Sequence, residues 1–446
     1  MIVELGALKK QLKRGCLLLF STFLFLNVAL VLWIKSYQPE LSQRHHHSKA
    51  SYLQSLKKKV TAASRPLRPN IVLILFDDLG VGDLGVYGAK AIQTPAIDRI
   101  AKEGILFTDF YTPTSVCTSS RAGLMTGRYP TRSGMTHVVF PPKSPVTYYQ
   151  KARRYRVGLP SDELTIAEAL QAAGYQTGLV GKWHLGGTKP YLPNQFGFEH
   201  FYGVLCSNDQ KPMHLYHNRS ILQKHPLDQR LLTKKYTQNA IHFIEKNKDK
   251  PFFLYFAHTF PHIPLYVAKE RRGTSKGGLY GDVVEALDAS VQAIEDTLKR
   301  LGLTNNTLLV ISSDNGPWYQ GASGGRRGRK WEVFEGGVRV PMIVRWPNQL
   351  PKGKILKKTA MTLDLFPTFL AAAGIKRPKD RILDGINLLP LLKGQKTWPS
   401  RALYFYWRKA LYAVRQGKWK YHRKHRISSF NPIYPLPWNV HKGHWL

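Results

Sequence analysis

The chain has 446 residues, of which 43% are hydrophobic and 21% are charged. These fractions are typical of a globular protein and exclude an intrinsically disordered chain. Lys and Arg total 66 against 28 Asp and Glu, so the formal net charge is +38 at pH 7. Such an excess attracts anions, whether nucleic acid, anionic lipid or sulfated glycan, and does not choose among them.

The N-terminus gives the first structural signal. A basic segment, residues 1–15, precedes an uncharged, mostly apolar run from Cys16 to Ile34. The run is about 19 residues long, close to the ~20 that span a bilayer and longer than a signal-peptide core. No small-residue cleavage pattern follows, so the run predicts a type II membrane anchor; a cleaved signal peptide and a secreted protein are the alternative. Either way the rest of the chain enters the secretory lumen, from the endoplasmic reticulum and Golgi to the lysosome or cell surface.

The lumenal location argues against nucleic acid as the partner of the basic surface. It also makes Asn218 and Asn305 predicted glycosylation sites, because each begins an Asn-x-Ser/Thr triplet. Disulfides are allowed there, but with Cys16 in the apolar run only Cys117 and Cys206 are left to pair, so no disulfide framework is expected. Residues 35–67 are polar and rich in Lys and Ser, and they predict a flexible stem.

From residue 68 the pattern changes to apolar strands alternating with amphipathic helices. Short continuous apolar runs are typical of strands that are buried on both faces of a parallel sheet. The predicted strands are Asn70–Phe76, Thr177–Val180, Phe252–Ala257 and Leu308–Ser312, and the predicted helices are Thr165–Ala173 and Val283–Leu301. This alternation predicts an α/β sandwich. Short aromatic-rich segments between residues 402 and 422 predict a small antiparallel sheet, so we divide the chain into residues 68–350 and a C-terminal subdomain, 351–446.

Acidic residues directly follow two of the predicted strands. Asp77 and Asp78 come after the first strand, and Asp314 and Asn315 come after the strand ending near residue 312. The carboxyl ends of parallel strands meet at one edge of a sheet, where α/β proteins bind ligands. The four side chains offer oxygen ligands suited to a hard divalent cation such as calcium or magnesium. For either pair alone, a turn cap is the alternative.

A segment of small polar residues carries Cys117 and, one helical turn later, Arg121. Gly127 ends the apolar turn that follows, so the sequence predicts a short helix with Cys117 at its N-terminus. Unpaired backbone N–H groups favour an anion there, which suits a nucleophile aimed at a charged ester. A buried structural cysteine is the alternative.

Charged residues also follow the strand predicted near residue 180. Lys182 and His184 are two residues apart, so both can point to one side of an extended backbone. For isolated residues, an exposed lysine and a core histidine are the alternatives.

Two of these segments together resemble the signatures of the sulfatase family. The first signature reads Cys-x-Pro-Ser-Arg followed by Leu-x-Thr-Gly-Arg, and residues 117–128 match it except at Ser119, where the family has proline. The second requires Gly-Tyr, then Thr, then Gly-Lys-Trp-His, which residues 174–184 contain. The resemblance covers residues 68–425, the catalytic domain included, and is strongest to the arylsulfatase A and steroid sulfatase branch. It implies an alkaline phosphatase-like fold, with a mixed, mainly parallel large sheet between helices and a smaller C-terminal antiparallel sheet.

The resemblance implies further site residues. His262 matches a substrate-facing histidine, and Ser207 matches a substrate-side serine. Residues 328–339 resemble a family loop that carries an active-site lysine, here called the lysine loop, and Lys330 matches that lysine. Glu335 and Arg339 are expected to hold the lysine loop rather than to touch substrate. The resemblance also implies one calcium ion per chain, with these ligands: Asp77, Asp78, Asp314, Asn315 and the residue derived from Cys117.

The chemistry that the resemblance implies begins at Cys117. A formylglycine-generating enzyme would oxidise it to an aldehyde, whose hydrate attacks the ester with help from Asp314. Lys330 and His262 would protonate the leaving alcohol, and His184 would take a proton from the hydrate to release sulfate. The cations around the sulfate would be calcium, Arg121, Lys182 and Lys330. The substrate would be a sulfated small molecule, lipid or glycan.

Two other functions are left open by the sequence. A metal-dependent phosphoesterase of related fold needs two metals and more His and Asp ligands than one acidic cluster supplies. A catalytically silent binder of sulfated glycans would result if Ser119 prevented the conversion of Cys117.

Overall fold

The computed structural model of the chain describes residues 15–29, 32, 45–61, 68–395 and 397–423. Within them the strands form one large sheet and two small sheets. The strands are β1 (Asn70–Phe76), β2 (Ile105–Phe107), β3 (Phe110–Tyr111), β4 (Gln176–Lys182), β5 (His200–Val204), β6 (Leu215–His217), β7 (Ser220–Gln223), β8 (Phe252–Ala257), β9 (Thr307–Ser313), β10 (Met342–Arg345), β11 (Lys354–Leu356), β12 (Ala360–Met361), β13 (Leu403–Trp407), β14 (Ala410–Gln416) and β15 (Trp419–His422).

The large sheet has the strand order β11-β2-β10-β9-β1-β8-β4-β5-β6-β7. Its centre, from β9 to β5, is parallel, whereas β10 runs antiparallel to both of its neighbours. At one edge β6 pairs antiparallel with β5 and with β7. The predicted mixed, mainly parallel sheet is therefore confirmed. Two predicted strands match β1 and β8 at both ends, and β4 and β9 extend one or two residues beyond their predicted bounds.

Helices cover both faces of the large sheet. They are α1 (His46–Thr61), α2 (Pro95–Lys102), α3 (Cys117–Thr126), α4 (Pro130–Ser133), α5 (Pro145–Ala152), α6 (Ile166–Ala172), α7 (Leu232–Lys246), α8 (Gly278–Arg300), α9 (Glu335–Val338), α10 (Leu365–Ala372) and α11 (Leu389–Leu392). Side chains alternate along a strand, so Leu73 and Leu75 of β1 join one apolar layer with α3, α6 and α10, while Ile74 and Phe76 join another with α2, α7 and α8. Burying each such side chain stabilises the fold by about 1.5–3 kcal/mol.

The C-terminal strands β13, β14 and β15 form the predicted small antiparallel sheet. The large sheet extends past residue 350, because β11 pairs in parallel with β2. The domain boundary near residue 350 stays a prediction.

The flexible stem predicted for residues 35–67 is wrong where helix α1 lies. This helix packs against α6, and its Leu56 is buried in the same apolar layer as Leu170. Tyr52 and Leu53 also pack against that layer. The spacing of Lys49, Tyr52, Leu53 and Leu56 is that of one helix face. The polar residues between these positions and the lysines that follow Leu56 obscure this period in the sequence.

Lys49 also attaches helix α1 to the rest of the domain, through polar contacts. Its Nζ donates to the backbone oxygens of Ser161 at 2.8 Å and Glu163 at 2.6 Å, and pairs with the Glu168 carboxylate at 2.6 Å. All three acceptors precede or lie within α6. The helix is therefore part of the folded domain and not a spacer outside it.

The N-terminal apolar segment is described only in part. Residues 15–29 are helical, and their large apolar side chains, such as Leu17 and Phe25, are exposed. Among the described helices, none combines the length and apolarity that crossing a membrane requires. Part of the predicted anchor, and the tail 424–446, lie outside the described residues.

Candidate active site

Two pairs of polar side chains meet at the carboxyl edge of the large sheet. β1 and β9 are parallel neighbours with Phe76 opposite Ser313, so the residues that follow the two strands lie side by side. Asn315 donates from Nδ2 to Asp78 Oδ1 at 2.7 Å, and the Asp78 N–H donates to Asp314 Oδ1 at 3.2 Å. The structure thus brings together the two pairs that the sequence places at strand ends.

Cys117 begins helix α3 close to this edge. Val116 before it is extended (φ −139°, ψ 141°), and Gly127 ends the helix with a left-handed backbone (φ 66°), as the sequence predicts. Burial raises the pKa of the Cys117 thiol to about 11, although Lys182 and Lys330 pull the pKa down. At neutral pH the unmodified thiol is therefore protonated and a poor nucleophile.

Ser119, the departure from the family signature, is the third residue of α3. Backbone N–H groups in a first helical turn have no acceptor within the helix, so proline would fit there equally well. The serine at this position consequently leaves the local backbone unchanged. Its Oγ is buried and has no hydrogen-bond partner among the described residues.

Three buried cations face the acidic edge, one for each carboxylate. The pairs are Arg121 Nε with Asp314 Oδ2 at 2.9 Å, Lys182 Nζ with Asp77 Oδ2 at 2.5 Å, and Lys330 Nζ with Asp78 Oδ2 at 2.8 Å. Lys182 is the last residue of β4, beside Gly181, whose backbone has φ 110°. A Cβ on Gly181 would lie 1.8 Å from the carbonyl oxygen of Ala257 in the neighbouring strand. Only glycine permits this approach, and it places Lys182 at the edge.

The crowding of the carboxylates shifts their pKa values in opposite directions. Burial raises the pKa of Asp77, but the charges of Lys182, His262 and Arg121 lower it by more, so the net shift is downward. Burial and the charge of Asp77 raise the pKa of Asp314 to about 7. Like charges this close oppose each other's ionisation, and an added cation would relieve them.

The residues present fit a divalent metal ion. Ligand atoms of Asp77, Asp78 and His262 lie within 4.8 Å of one another. Oδ1 of Asp77 and Oδ1 of Asn315 are buried and accept no hydrogen bond from the described residues. Carboxylate and amide oxygens of this kind are the ligands that calcium and magnesium prefer. The proximity of His262 to this group is a feature that the sequence reasoning did not assign.

The two predicted histidines occupy different environments. His184 Nε2 lies 2.9 Å from the carbonyl oxygen of Val139, to which it donates. The buried Nδ1 is then an acceptor with no hydrogen-bond partner in the described part of the chain. Burial, with the charges of Lys182 and Arg121, lowers the pKa of His184 well below its usual value. The imidazole is therefore neutral and able to accept a proton at Nδ1.

His262 joins Ser207 to the acidic edge. Its Nε2 lies 3.4 Å from Ser207 Oγ and 3.7 Å from Asp78 Oδ2. Lys182 Nζ donates to the same Ser207 oxygen at 3.1 Å. Burial and the charge of Lys330 lower the pKa of His262. The structure thus brings the predicted catalytic residues together in one group. We call this group the catalytic cluster, and its members are Cys117, Arg121, Lys182, His184, His262 and Lys330.

Gln210 supports this cluster and was missed by the sequence reasoning. Its Oε1 accepts from the Ser207 N–H at 3.3 Å, and its Nε2 donates to the Val139 oxygen at 3.1 Å. The same Val139 oxygen accepts from His184. No motif marks Gln210, because its partners are backbone groups that carry no sequence signal.

The lysine loop is held from the C-terminal sheet. Glu335 accepts hydrogen bonds from Tyr111 Oη at 2.7 Å and Lys420 Nζ at 2.9 Å, and pairs with Arg339 at 3.3 Å. These contacts agree with the predicted supporting role of Glu335 and Arg339. The small sheet therefore anchors the loop that carries Lys330.

The predicted glycosylation sites differ in accessibility. Asn305 is exposed in a short 3₁₀ turn, Thr304–Asn306. Asn218 is half-buried, and its Oδ1 accepts from the Phe201 N–H at 2.9 Å. Asn305 is thus the more accessible of the two asparagines.

A parallel α/β sheet that holds paired cations and carboxylates around a buried cysteine suits a hydrolase of anionic esters. Family models agree: the one described as Sulfatase matches residues 69–375, and the one described as N-sulphoglucosamine sulphohydrolase, C-terminal, matches residues 329–430. N-acetylgalactosamine-6-sulfatase of Mus musculus is 38% identical over 385 residues, covering 81% of this chain and 73% of the relative. Arylsulfatase A of Homo sapiens is 38% identical over 400 residues, covering 81% and 75%.

A solved structure supports the same assignment. It comes from work on the metabolism of multiple glycosaminoglycans by Bacteroides thetaiotaomicron, and it matches with a TM-score of 0.73 and 28% identity over 80% of this chain and 88% of that one. The chain belongs to the sulfatase family, as the two signatures predicted. It is an enzyme that hydrolyses sulfate esters.

Proposed function

We propose that the chain hydrolyses sulfate esters through a formylglycine derived from Cys117 and one bound calcium ion. The observation that carries this proposal is the place of Cys117, buried at the start of α3 where the charges of Lys182 and Lys330 act on its sulfur. Cations on that side compensate an anionic ester, yet the raised pKa makes the thiol itself unreactive. An aldehyde hydrate at the same position supplies a hydroxyl nucleophile that needs no thiolate.

The calcium ligands proposed are Asp77, Asp78, Asp314, Asn315 and the residue derived from Cys117. When bound, the ion supplies positive charge that neutralises and orients the sulfate. Arg121, Lys182 and Lys330 add fixed positive charge around the same oxygens. Because these cations already pair with carboxylates, they are positioned before the ester arrives.

Proton transfer is assigned to groups whose protonation state the site controls. Asp314 assists the attacking hydroxyl as a base, and a bound calcium ion would keep its carboxylate ionised. His184 takes a proton at its free Nδ1 in the later step that releases sulfate. Burial lowers the pKa of Lys330, but the charges of Asp78 and Asp77 and the hydrogen bond to Asp78 contribute to a net upward shift. Lys330 therefore stays protonated and donates to the leaving alcohol together with His262.

The test combines the chemistry of residue 117 with turnover. Full-length protein from a secretory host is digested, the peptide carrying residue 117 is weighed by mass spectrometry, and hydrolysis of an aryl sulfate is measured. We expect the aldehyde mass and measurable turnover, and no turnover from Cys117→Ala.

Ser119→Pro is the matched variant, because it restores the family signature without altering the helix. The wild type would be a catalytically silent binder if its peptide carried the unmodified thiol and it showed no turnover, while Ser119→Pro gained both the aldehyde and turnover. Turnover by Cys117→Ala equal to wild type would refute the formylglycine mechanism.

We further propose that the enzyme works in the secretory pathway, with residues 16–34 as a type II anchor. A formylglycine-generating enzyme is the partner required there. Support comes from the basic residues before the apolar run and from the exposed apolar side chains of residues 15–29. A glycan at Asn305, detected as an electrophoretic shift that glycosidase removes, tests the lumenal location; an unglycosylated chain in the cytosolic fraction would contradict it.

A further inference from the structure

A pocket of about 330 Å³ is lined by residues from two chain segments that also carry groups bonded to the catalytic cluster. Its walls are mainly apolar and include Phe140, Pro141, Leu205, Pro212, Tyr216 and Ile221. The volume falls within the range of small-molecule sites. No part of the mechanism above uses this pocket.

The pocket and the catalytic cluster share chain segments. Cys206 lines the pocket, and the next residue, Ser207, accepts from Lys182 inside the cluster. Phe140 lines the pocket, and the preceding residue, Val139, accepts from His184. Consecutive α-carbons are 3.8 Å apart. In each of two separate segments, a residue that lines the pocket is therefore the direct chain neighbour of a residue that is hydrogen-bonded to the cluster.

Exposed lysines line the pocket or adjoin its lining residues in the chain. Lys143 is exposed and lines it, and the exposed Lys189 and Lys211 each adjoin a lining residue. Such cations draw an anionic ester toward the mouth. The walls are mainly apolar, and apart from Lys143 the lining residues with hydrogen-bonding side chains are Thr188, His214 and Tyr216. Most hydroxyl groups of a sugar ring would therefore lose water without gaining partners, whereas an apolar ring would not.

We propose that this pocket binds the apolar part of the substrate, and that the natural ester carries an aromatic or alicyclic ring rather than a sugar. The proposal rests on the sulfatase activity proposed above. The sulfate enters the catalytic cluster while the ring occupies the pocket, and the shared segments set the distance between them. The ring's occupancy is non-covalent and changes the Michaelis constant more than the turnover number.

Ile221 provides the test because it lines the pocket from the edge strand β7. Its neighbour Leu222 is exposed on the same strand, does not line the pocket and points to the opposite face, which makes Leu222→Asn the matched control. Both changes place the same polar amide on the surface. We expect Ile221→Asn to raise KM for naphthyl sulfate about tenfold with little change in kcat. Leu222→Asn should leave both values as in the wild type, and KM for galactose 6-sulfate should be unaffected by either change.

Other results overturn the proposal. An unchanged KM for naphthyl sulfate in Ile221→Asn, or an equal rise for both esters, would show that the ring does not enter the pocket. If the wild type hydrolyses neither ester, the proposed function fails, and naphthol binding followed by fluorescence still decides the pocket. Weaker naphthol binding in Ile221→Asn than in Leu222→Asn supports the pocket, and equal binding refutes it.

Discussion

Replacing Lys49 by methionine tests the docking of helix α1. Methionine keeps much of the side-chain volume but has no donor, so two backbone oxygens and the Glu168 carboxylate lose their partner. Each orphaned oxygen costs about 1 kcal/mol or more, and breaking a buried ion pair costs about 3–5 kcal/mol in all. Because both side chains of the pair keep a little exposure, we expect the lower end, a loss of about 3 kcal/mol in the free energy of unfolding.

The loss should also depend on pH. Burial already raises the pKa of Glu168 from 4.5, against the opposing charge of Lys49, and removing Lys49 raises it further. A carboxyl whose folded-state pKa exceeds its unfolded value binds its proton more tightly when folded, so its contribution to stability falls as pH rises through that interval. The penalty of Lys49→Met should consequently be smaller at pH 5 than at pH 8.

Urea unfolding followed by tryptophan fluorescence measures this effect. Lys57→Met is the matched control, because Lys57 is exposed on the same helix and its loss changes only surface charge. Combining Lys49→Met with Glu168→Gln should recover part of the loss, since no carboxylate is then left unpaired. Equal unfolding midpoints for Lys49→Met and Lys57→Met at pH 8 would refute the docking and restore the flexible stem.

Three further outcomes follow from groups described above. In protein made without the modifying enzyme, the thiols of Cys117 and Cys206, whose pKa values burial raises to about 11 and 12, should react with Ellman's reagent at pH 8 only after urea is added. Because Cys16 is exposed, the measurement uses the Cys16→Ser variant, and labelling of that folded protein would contradict this. Burial raises the pKa of Asp83 to about 6, so stability should fall as pH rises from 4 to 6, and urea midpoints should show a shallower slope in Asp83→Asn. Gly181→Ala should abolish turnover, because its Cβ would overlap the Ala257 oxygen, and near wild-type activity would disprove that overlap.

The sequence predicts the centre of the fold better than its margins. Strands β1 and β8 are buried on both faces, so their apolar runs are continuous and their ends are sharp. The edge hairpin of β6 and β7 was not predicted, because its residues are half exposed and carry no continuous pattern. Helix α1 was missed for a related reason: its buried lysine reads as solvent-exposed in the sequence.

The residues of the candidate site also differ in how far the sequence alone could place them. Asp77 and Asp78 could be placed from the sequence alone, because they directly follow a recognisable strand. Lys330 is 252 positions from its partner Asp78, and only the family resemblance connects the two. Gln210 was beyond both approaches, since its role depends on backbone groups that meet only in the folded loops.

The docking of helix α1 would shorten the link between the catalytic domain and the proposed membrane anchor. If residues 16–34 are embedded in a bilayer, about 11 residues separate them from His46, a length of chain that spans at most ~40 Å. The catalytic domain would then be tethered within roughly its own diameter of the lipid surface. Such a short connecting segment would favour substrates that are at or near the membrane surface, and it would limit the access of large soluble polymers to the active site.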